Sequence, residues 1–591
     1  MNSRSSNRFS ISERGKSVLL IAGLLVLLWV ARYLRFDQFG LYEDDITNIP
    51  GAIVMSGREL VEYNLAFVSN LYGKGHPLHF VLLRSFSWIG WRLGGLPALY
   101  IIGFTIVSFS IILYYLLVRR VWGHEIAVFA GIFFALYSAD TTQAFLTHSL
   151  ELFPSMVFLL IAFHAYLSNR EPLAYLSIVL ALVTYETTFL VFLAAPLLGK
   201  HNFGRMSGKE ILRHLIVLGI ILAAVVFVRV STGDGRIAEL QGASIILTPI
   251  RHMIVGTAVS TGSYLLRAVQ VLTDLQLVEL AALVILFPAV LFTFDRVRPD
   301  PHNEGSAVDS TTRFESPEST SRLQSLADSM GERWRRLESE KLRLFSVLAT
   351  AILLIVLAYP LTFTTRSFSI SGRETRVHFA AAPGVALLWG AGINAFRSAR
   401  SRKWVRWAGL SLVALVLPLT LFFGFRLQRD YAVAWKMENQ FWSDLIPLIS
   451  DASNGDVVIV DPGVFDDVEQ IGANTWNLPS VLTQLYKFPD SWKQPPVVYR
   501  MLRGWASGLA APNGDFVLNN LTVTAPGSYY REVPTSAVIF VDHDGDGNMV
   551  RMTEIEINGQ LHQLKERSDA DFTDFNTGLL FEIMDLQSTN H

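Results

Sequence analysis

The sequence predicts a polytopic α-helical membrane protein of about eleven spans, with a small soluble α/β domain at its C-terminal end. Three observations carry that prediction. Of the 591 residues, 51% are hydrophobic and 17% are charged, which is a low charge content for a soluble chain. The apolar residues are bunched in blocks, most of them near the ~20 residues that a bilayer crossing needs. Lys and Arg fall in alternate loops, as they do when basic loops stay on the cytoplasmic side.

The elements follow in chain order. Arg4, Arg8, Arg14 and Lys16 precede VLLIAGLLVLLWVA. No small-residue cleavage site follows, so residues 17–31 read as an uncleaved signal-anchor. Further apolar blocks lie at 97–118, 125–143, 149–167, 172–184, 187–199, 211–229, 275–294, 344–363, 377–396 and 405–425. The stretch 172–199 is too long for one ordinary helix, and reads as two short spans meeting at Tyr185–Glu186. With a cytoplasmic N-terminus, the basic clusters at 119–120, 170, 200–209 and 397–406 all fall inside. Loop 32–96 is then external and loop 295–343 cytoplasmic. The latter opens with a polar, disordered-looking part and ends in a helix, RLQSLADSMGERWRRLESEKLR. A multi-pass protein of the plasma (inner) membrane is expected, with its membrane domain over 1–425. Residues 426–591 are expected outside. There DVVIVD (456–461) and SAVIFVD (536–542) are strand-like, with a helix between them at 474–487.

Composition also excludes. The net charge of −2 gives no nucleic-acid signal. The absence of cysteine rules out disulfides and thiolate metal sites. No Walker loop, dinucleotide fingerprint, HExxH or nucleophile elbow is evident. That argues against an ATP-driven pump and a soluble nucleotide-sugar transferase.

The most informative stretch is FGLYEDDITNIPG, 39–51. Glu43, Asp44 and Asp45 place three carboxylates together just beyond the first span. A helix cap needs one acid, and Asp45 is placed to cap ITNIPGAIV. Three suit a general base for an acceptor hydroxyl or amine, or oxygen ligands for a divalent ion such as Mg or Mn. The next segment, YGKGHPLHFVLLRSFSWIGWRLGG, has Trp and Arg spaced as in an interfacial helix. It contributes Lys74 and His76 as substrate-contact candidates.

External loop 364–378, TTRSFSISGRETRVH, runs against the positive-inside bias with Arg366, Arg373 and Arg376. The guanidinium fork suits phosphate, so Arg373, Arg376 and His378 are donor-phosphate candidates; headgroup contact or pairing with Glu374 is the plainer alternative. Asp140, His148, Glu151 and Glu186 lie at span ends on the same side. Ionisable residues there usually face a protein-lined cavity, and these four are substrate-binding candidates beside interhelical bonding. In VDHDGDGNMVRMTE, Asp542, Asp544 and Asp546 match the first positions of a calcium loop over 542–553. Its twelfth position is Thr553, and a charged hairpin turn is the alternative.

A single span, an external loop opening with an acidic pair, HPLHFVLLR (76–84) and LLVRRVWG (116–123) together resemble the GT-C class of polytopic glycosyltransferases. TYETT (184–188) is similar as well. The likeness is good over about 17–200 and topological over 200–425. It implies a GT-C-like fold and an inverting hexosyl- or pentosyltransferase that uses a polyprenyl-phosphate-linked sugar on the outer face. The acceptor would be a glycolipid, polysaccharide or protein. Of the triplet, it points to Asp44 or Asp45 as catalytic and leaves the register open. The fourth span departs from the class pattern, with THSLELFPSM where many members carry an Arg-Tyr pair. Two other readings stand beside it: a transporter or flippase of lipid-linked sugars, and a non-enzymatic cell-envelope scaffold anchored by its spans.

Overall fold

A computed structural model describes residues 13–69, 76–198, 208–231, 244–296, 342–362, 368–398, 403–460, 478–500, 516–519, 530–557, 560–569 and 571–586. Lys74, Arg366 and loop residues 297–341 lie outside the described residues. The chain is a multi-pass, mostly helical membrane protein. Among the described residues, six helices are long and apolar enough to cross a membrane: Ser17–Gln38, Pro77–Trp122, His148–Leu167, Gly208–Ser231, Arg373–Arg397 and Lys403–Ile449. Shorter apolar helices occupy His124–Ala135, Glu171–Thr184, Glu186–Leu198, Leu277–Thr293 and Leu342–Leu357.

Local chemistry sets the breaks. The long helix Pro77–Trp122 has non-helical backbone at Gly94 and Gly95, the latter at φ +67°. Only glycine adopts that geometry without strain. Pro97 follows in the next turn, where its missing N–H costs little. Helix Glu171–Thr184 ends because Tyr185 is extended (φ −156°, ψ 120°), and tighter turns carry the chain on from Glu186. This is the position at which the sequence divides 172–199.

Helix packing relies on close approach. A Cβ on Gly390 would lie 2.6 Å from the backbone nitrogen of Ala130. The helix Ala382–Ser398 can therefore press against His124–Ala135. Small residues at such crossings replace the hydrophobic drive that lipid does not supply.

One helix is absent from the sequence reading. Ser244–Thr273 is a continuous helix, but Arg251, His252, Arg267 and many Ser, Thr and Gly residues keep it from reading as an apolar block. Its ring and guanidinium groups at His252 and Arg267 find partners inside the protein. His252 Nδ1 lies 2.9 Å from Thr362 Oγ1, and Arg267 donates to the carbonyls of Ser138 and Ile370. Both points lie toward loops at the end of the bundle that carries the acidic triplet.

The C-terminal part is a small α/β unit. Strands β1 (Val457–Val460), β2 (Val497–Arg500), β3 (Phe516–Asn519), β4 (Tyr530–Val533), β5 (Val538–His543) and β6 (Met549–Met552) are followed by the hairpin β7 (Glu554–Ile557) and β8 (Gln560–Gln563). The main sheet has the order β2-β1-β5-β6. In it β1 is parallel to β2 and β5, and β6 is antiparallel to β5. Strand β1 lies within the first stretch that the sequence marks, and β5 begins in the second and runs one residue beyond it. The helix Lys403–Ile449 runs unbroken through residue 426, and the first strand starts at Val457. The short helices Leu478–Leu485 and Leu579–Ile583 pack against the acidic helix Asp44–Val54. The α/β unit thus braces the element that begins with Asp44 and Asp45.

Candidate active site

The acidic loop rests on an aromatic floor. Tyr42, Phe145, Tyr431 and Trp435 pack ring to ring, with Tyr42 and Tyr431 centroids 5.0 Å apart. The Tyr42 hydroxyl donates to the Tyr431 carbonyl (2.8 Å), and Tyr100 donates to that of Gly40 (2.6 Å). Gly40 is needed there, because a Cβ would sit within about 2 Å of the Trp435 ring. The loop then turns at Glu43, whose φ of +50° with ψ −118° is strained for a side-chain-bearing residue. That turn sends the three acids in different directions.

Asp45 points inward and is fully buried. Its carboxylate accepts the backbone N–H of Thr147 (2.7 Å), Leu146 (3.0 Å) and Tyr42 (3.3 Å). It therefore ties the acidic loop to the loop before the helix His148–Leu167, about a hundred residues on. Burial pushes its pKa up to about 7, against those donors, which pull it down. Buried and held by these donors, the Asp45 carboxylate faces the protein and not a substrate in this arrangement.

Asp44 points outward, with its side chain 32% exposed, and is bridged by Arg373, 329 positions away in sequence. The Nε of Arg373 lies 3.5 Å from the Glu43 carboxylate. Glu43 is mostly covered, and its Oε2 has no hydrogen bond. Burial pushes Glu43 up to about 8, partly offset by Arg373. Arg376 shares the electrostatic field of Asp44 and Glu43, and among the described residues it makes no direct ion pair. The two sequence features, acidic triplet and reversed arginine loop, meet at one point.

The remaining candidates divide. Glu151 bonds His79 (Oε1 to Nε2, 2.7 Å) and lies in the field of Asp44 and Arg376. His148 is buried in the field of both arginines. His76 lies 3.0 Å from Glu186, and Arg229 joins both. The ring of Tyr185 stands 6.2 Å from His76 and 6.3 Å from His79, linking the two acid–imidazole pairs. Asp140 is spent on a local turn, accepting from the N–H and hydroxyl of Thr142 (2.9 and 2.6 Å). His378 faces the bundle interior. Its ring nitrogens meet the Tyr359 hydroxyl (2.9 Å) and the Ser369 carbonyl (3.1 Å), so it holds the arginine loop in place. His79 and Arg229 are missed by the sequence reading because each is one polar residue within an apolar run. The spacing of His79 three positions after His76 was the available signal.

Among the described residues, no group of three or more His, Asp and Glu side chains converges as ligands would. Asp45 faces backbone N–H groups, and Arg373 pairs with Asp44 and stands beside Glu43. Asp544 accepts the backbone N–H of Asp546 and Asn548 (2.9 and 2.8 Å), closing the β5–β6 hairpin. Asp542 accepts the N–H of His543 (2.8 Å).

Fold and site define a multi-pass membrane protein with an acid–arginine centre on the loops at one end of its bundle. No protein-family model matches the sequence, and no curated protein matches it. Among solved structures, the chain is similar to ArnT from Cupriavidus metallidurans. For ArnT bound to undecaprenyl phosphate, identity is 13% and TM-score 0.33, over 76% of this chain and 83% of that one. For ArnT in the apo state, identity is 13% and TM-score 0.35, over 88% and 97%.

Proposed function

We propose that this chain is a membrane glycosyltransferase of GT-C type, which moves a sugar from a polyprenyl-phosphate-linked donor to an acceptor on the outer face. The observation that carries the reading is the Asp44–Arg373 pair: a partly exposed carboxylate and a phosphate-matched guanidinium, from opposite ends of the membrane domain, in direct contact. In the proposed reaction the donor phosphate draws Arg373 away from Asp44 and is also held by Arg376. The acceptor's O–H or N–H then attacks the anomeric carbon, and Asp44 takes its proton. The bond from that carbon to the phosphate oxygen breaks, and the arginines stabilise charge building on the leaving phosphate. Asp45 has a positioning role, since it fixes the loop from which Asp44 projects. The acceptor's identity is a glycan, lipid or protein nucleophile.

The test is release of polyprenyl phosphate from lipid-linked hexose and pentose donors by the purified chain in lipid nanodiscs. Arg373→Ala and Arg376→Ala should each weaken donor affinity about tenfold or more, the usual scale for losing a charge-assisted bond. Equal donor affinity in both variants and wild type would remove the phosphate role from this loop.

A pH dependence follows from Glu43. Below about pH 8 its carboxyl stays protonated, and Arg373 keeps its full charge for phosphate. Above that, a second carboxylate beside Arg373 competes with the donor. Donor KM should therefore rise as pH passes through about 8. Glu43→Gln should flatten that rise; a Glu43→Gln profile superimposable on wild type would refute this assignment.

A further inference from the structure

The Asp44–Arg373 centre leaves Glu151 and His79 without a task. They come from different elements, the turn His148–Leu152 and the start of the helix Pro77–Trp122. Glu151 Oε1 accepts the Nε2–H of His79 at 2.7 Å. In the neutral imidazole that bond fixes the tautomer, with Nδ1 of His79 left as an acceptor. The second oxygen of the carboxylate, Glu151 Oε2, is an acceptor too. Both atoms are buried and have no hydrogen-bond partner among the described residues. Glu151 itself is only 6% exposed. Buried acceptors without donors carry a desolvation cost that folding does not recover. Their surroundings are those of the candidate site: Glu151 lies in the field of Asp44 and Arg376, and Tyr185 stacks on His79 at 6.3 Å and 18°.

The two halves of this region have opposite chemistry. Arg373 and Arg376 offer donors only, which suits phosphate oxygens. Glu151 Oε2 and His79 Nδ1 offer acceptors only, which suits O–H or N–H groups. We infer that the Glu151–His79 pair is a sugar-binding subsite, reading hydroxyl or amino groups of the sugar carried on the lipid phosphate. This rests on the glycosyltransferase reading and adds to it the residues that select the sugar. A purely structural role, tying the helix Pro77–Trp122 to the turn before the next one, is the competing account.

The experiment compares two probes on the full chain in nanodiscs: bare polyprenyl phosphate, and polyprenyl phosphate carrying a hexose or a pentose. Glu151→Gln keeps the shape of the carboxylate and removes its charge. His79→Phe keeps the ring stacked on Tyr185 and removes both nitrogens. Each variant should bind the bare lipid within twofold of wild type and the glycosylated lipid at least tenfold more weakly. Unchanged affinity for the glycosylated lipid overturns the inference. So does an equal loss for both probes, or loss of folding in both variants and also in Glu151→Asp, since those results mark structural ties. If wild type binds neither probe, the glycosyltransferase reading itself fails, and this subsite with it.

Discussion

Asp44→Asn should lower kcat for sugar transfer about 10²–10⁴-fold, the range for loss of a positioned general base, and should leave donor affinity at or above wild type. The two effects have separate causes. Asparagine matches aspartate in shape but takes no proton from the acceptor. It also carries no charge to hold Arg373, which the Asp44 carboxylate now engages. Freed arginine binds the donor phosphate at least as well. Single-turnover release of polyprenyl phosphate, beside equilibrium binding of the donor, separates them. An unchanged single-turnover rate would take Asp44 out of the chemistry. A fall in donor affinity equal to the fall in rate would make it a binding residue instead.

Asp45→Ala should behave differently and destabilise the protein by about 3 kcal/mol or more. The carboxylate is fully buried, and three backbone N–H groups depend on it. Each buried donor left unpartnered costs about 1–3 kcal/mol. Loss of this tie also unlinks the acidic loop from the loop at 146–147, so activity should fall with stability. Thermal unfolding in detergent measures it, with Asp44→Asn as a control expected to melt with wild type. If Asp45→Ala also melted with wild type, the anchoring role assigned to Asp45 would be wrong.

The contrast between neighbouring aspartates shows where sequence reading stops. EDD in a row marks a region of interest, but adjacent acids look alike until the backbone sends them apart. The turn at Glu43, with its positive φ, is what directs Asp44 outward and Asp45 inward. No residue type in the triplet announces it. Blocks of apolar residues were legible because lipid permits little else, and the break at Tyr185 was legible from its polar TYETT interruption. The helix Ser244–Thr273 was not, because His252 and Arg267 break its apolar pattern and find their partners in Thr362 and Ser138, which only the fold brings near. The arginine loop stood out by charge bias, whereas the ties of His378 to Tyr359 and Ser369 needed the fold. His79 and Arg229 were hidden for a similar reason. Single polar residues in apolar runs gain meaning only from the partners that folding brings to them, Glu151 and Glu186 here.

The central claim is that Asp44 and Arg373 form one reaction centre, in which the donor phosphate takes over Arg373. Its most direct test is a double-mutant cycle on polyprenyl phosphate affinity, using wild type, Asp44→Asn, Arg373→Ala and the double variant in lipid nanodiscs. The account predicts that Asp44→Asn binds as tightly as wild type or more tightly, that Arg373→Ala binds about tenfold or more weakly, and that the double variant matches Arg373→Ala. Four equal affinities would contradict it and place the lipid phosphate elsewhere on the protein.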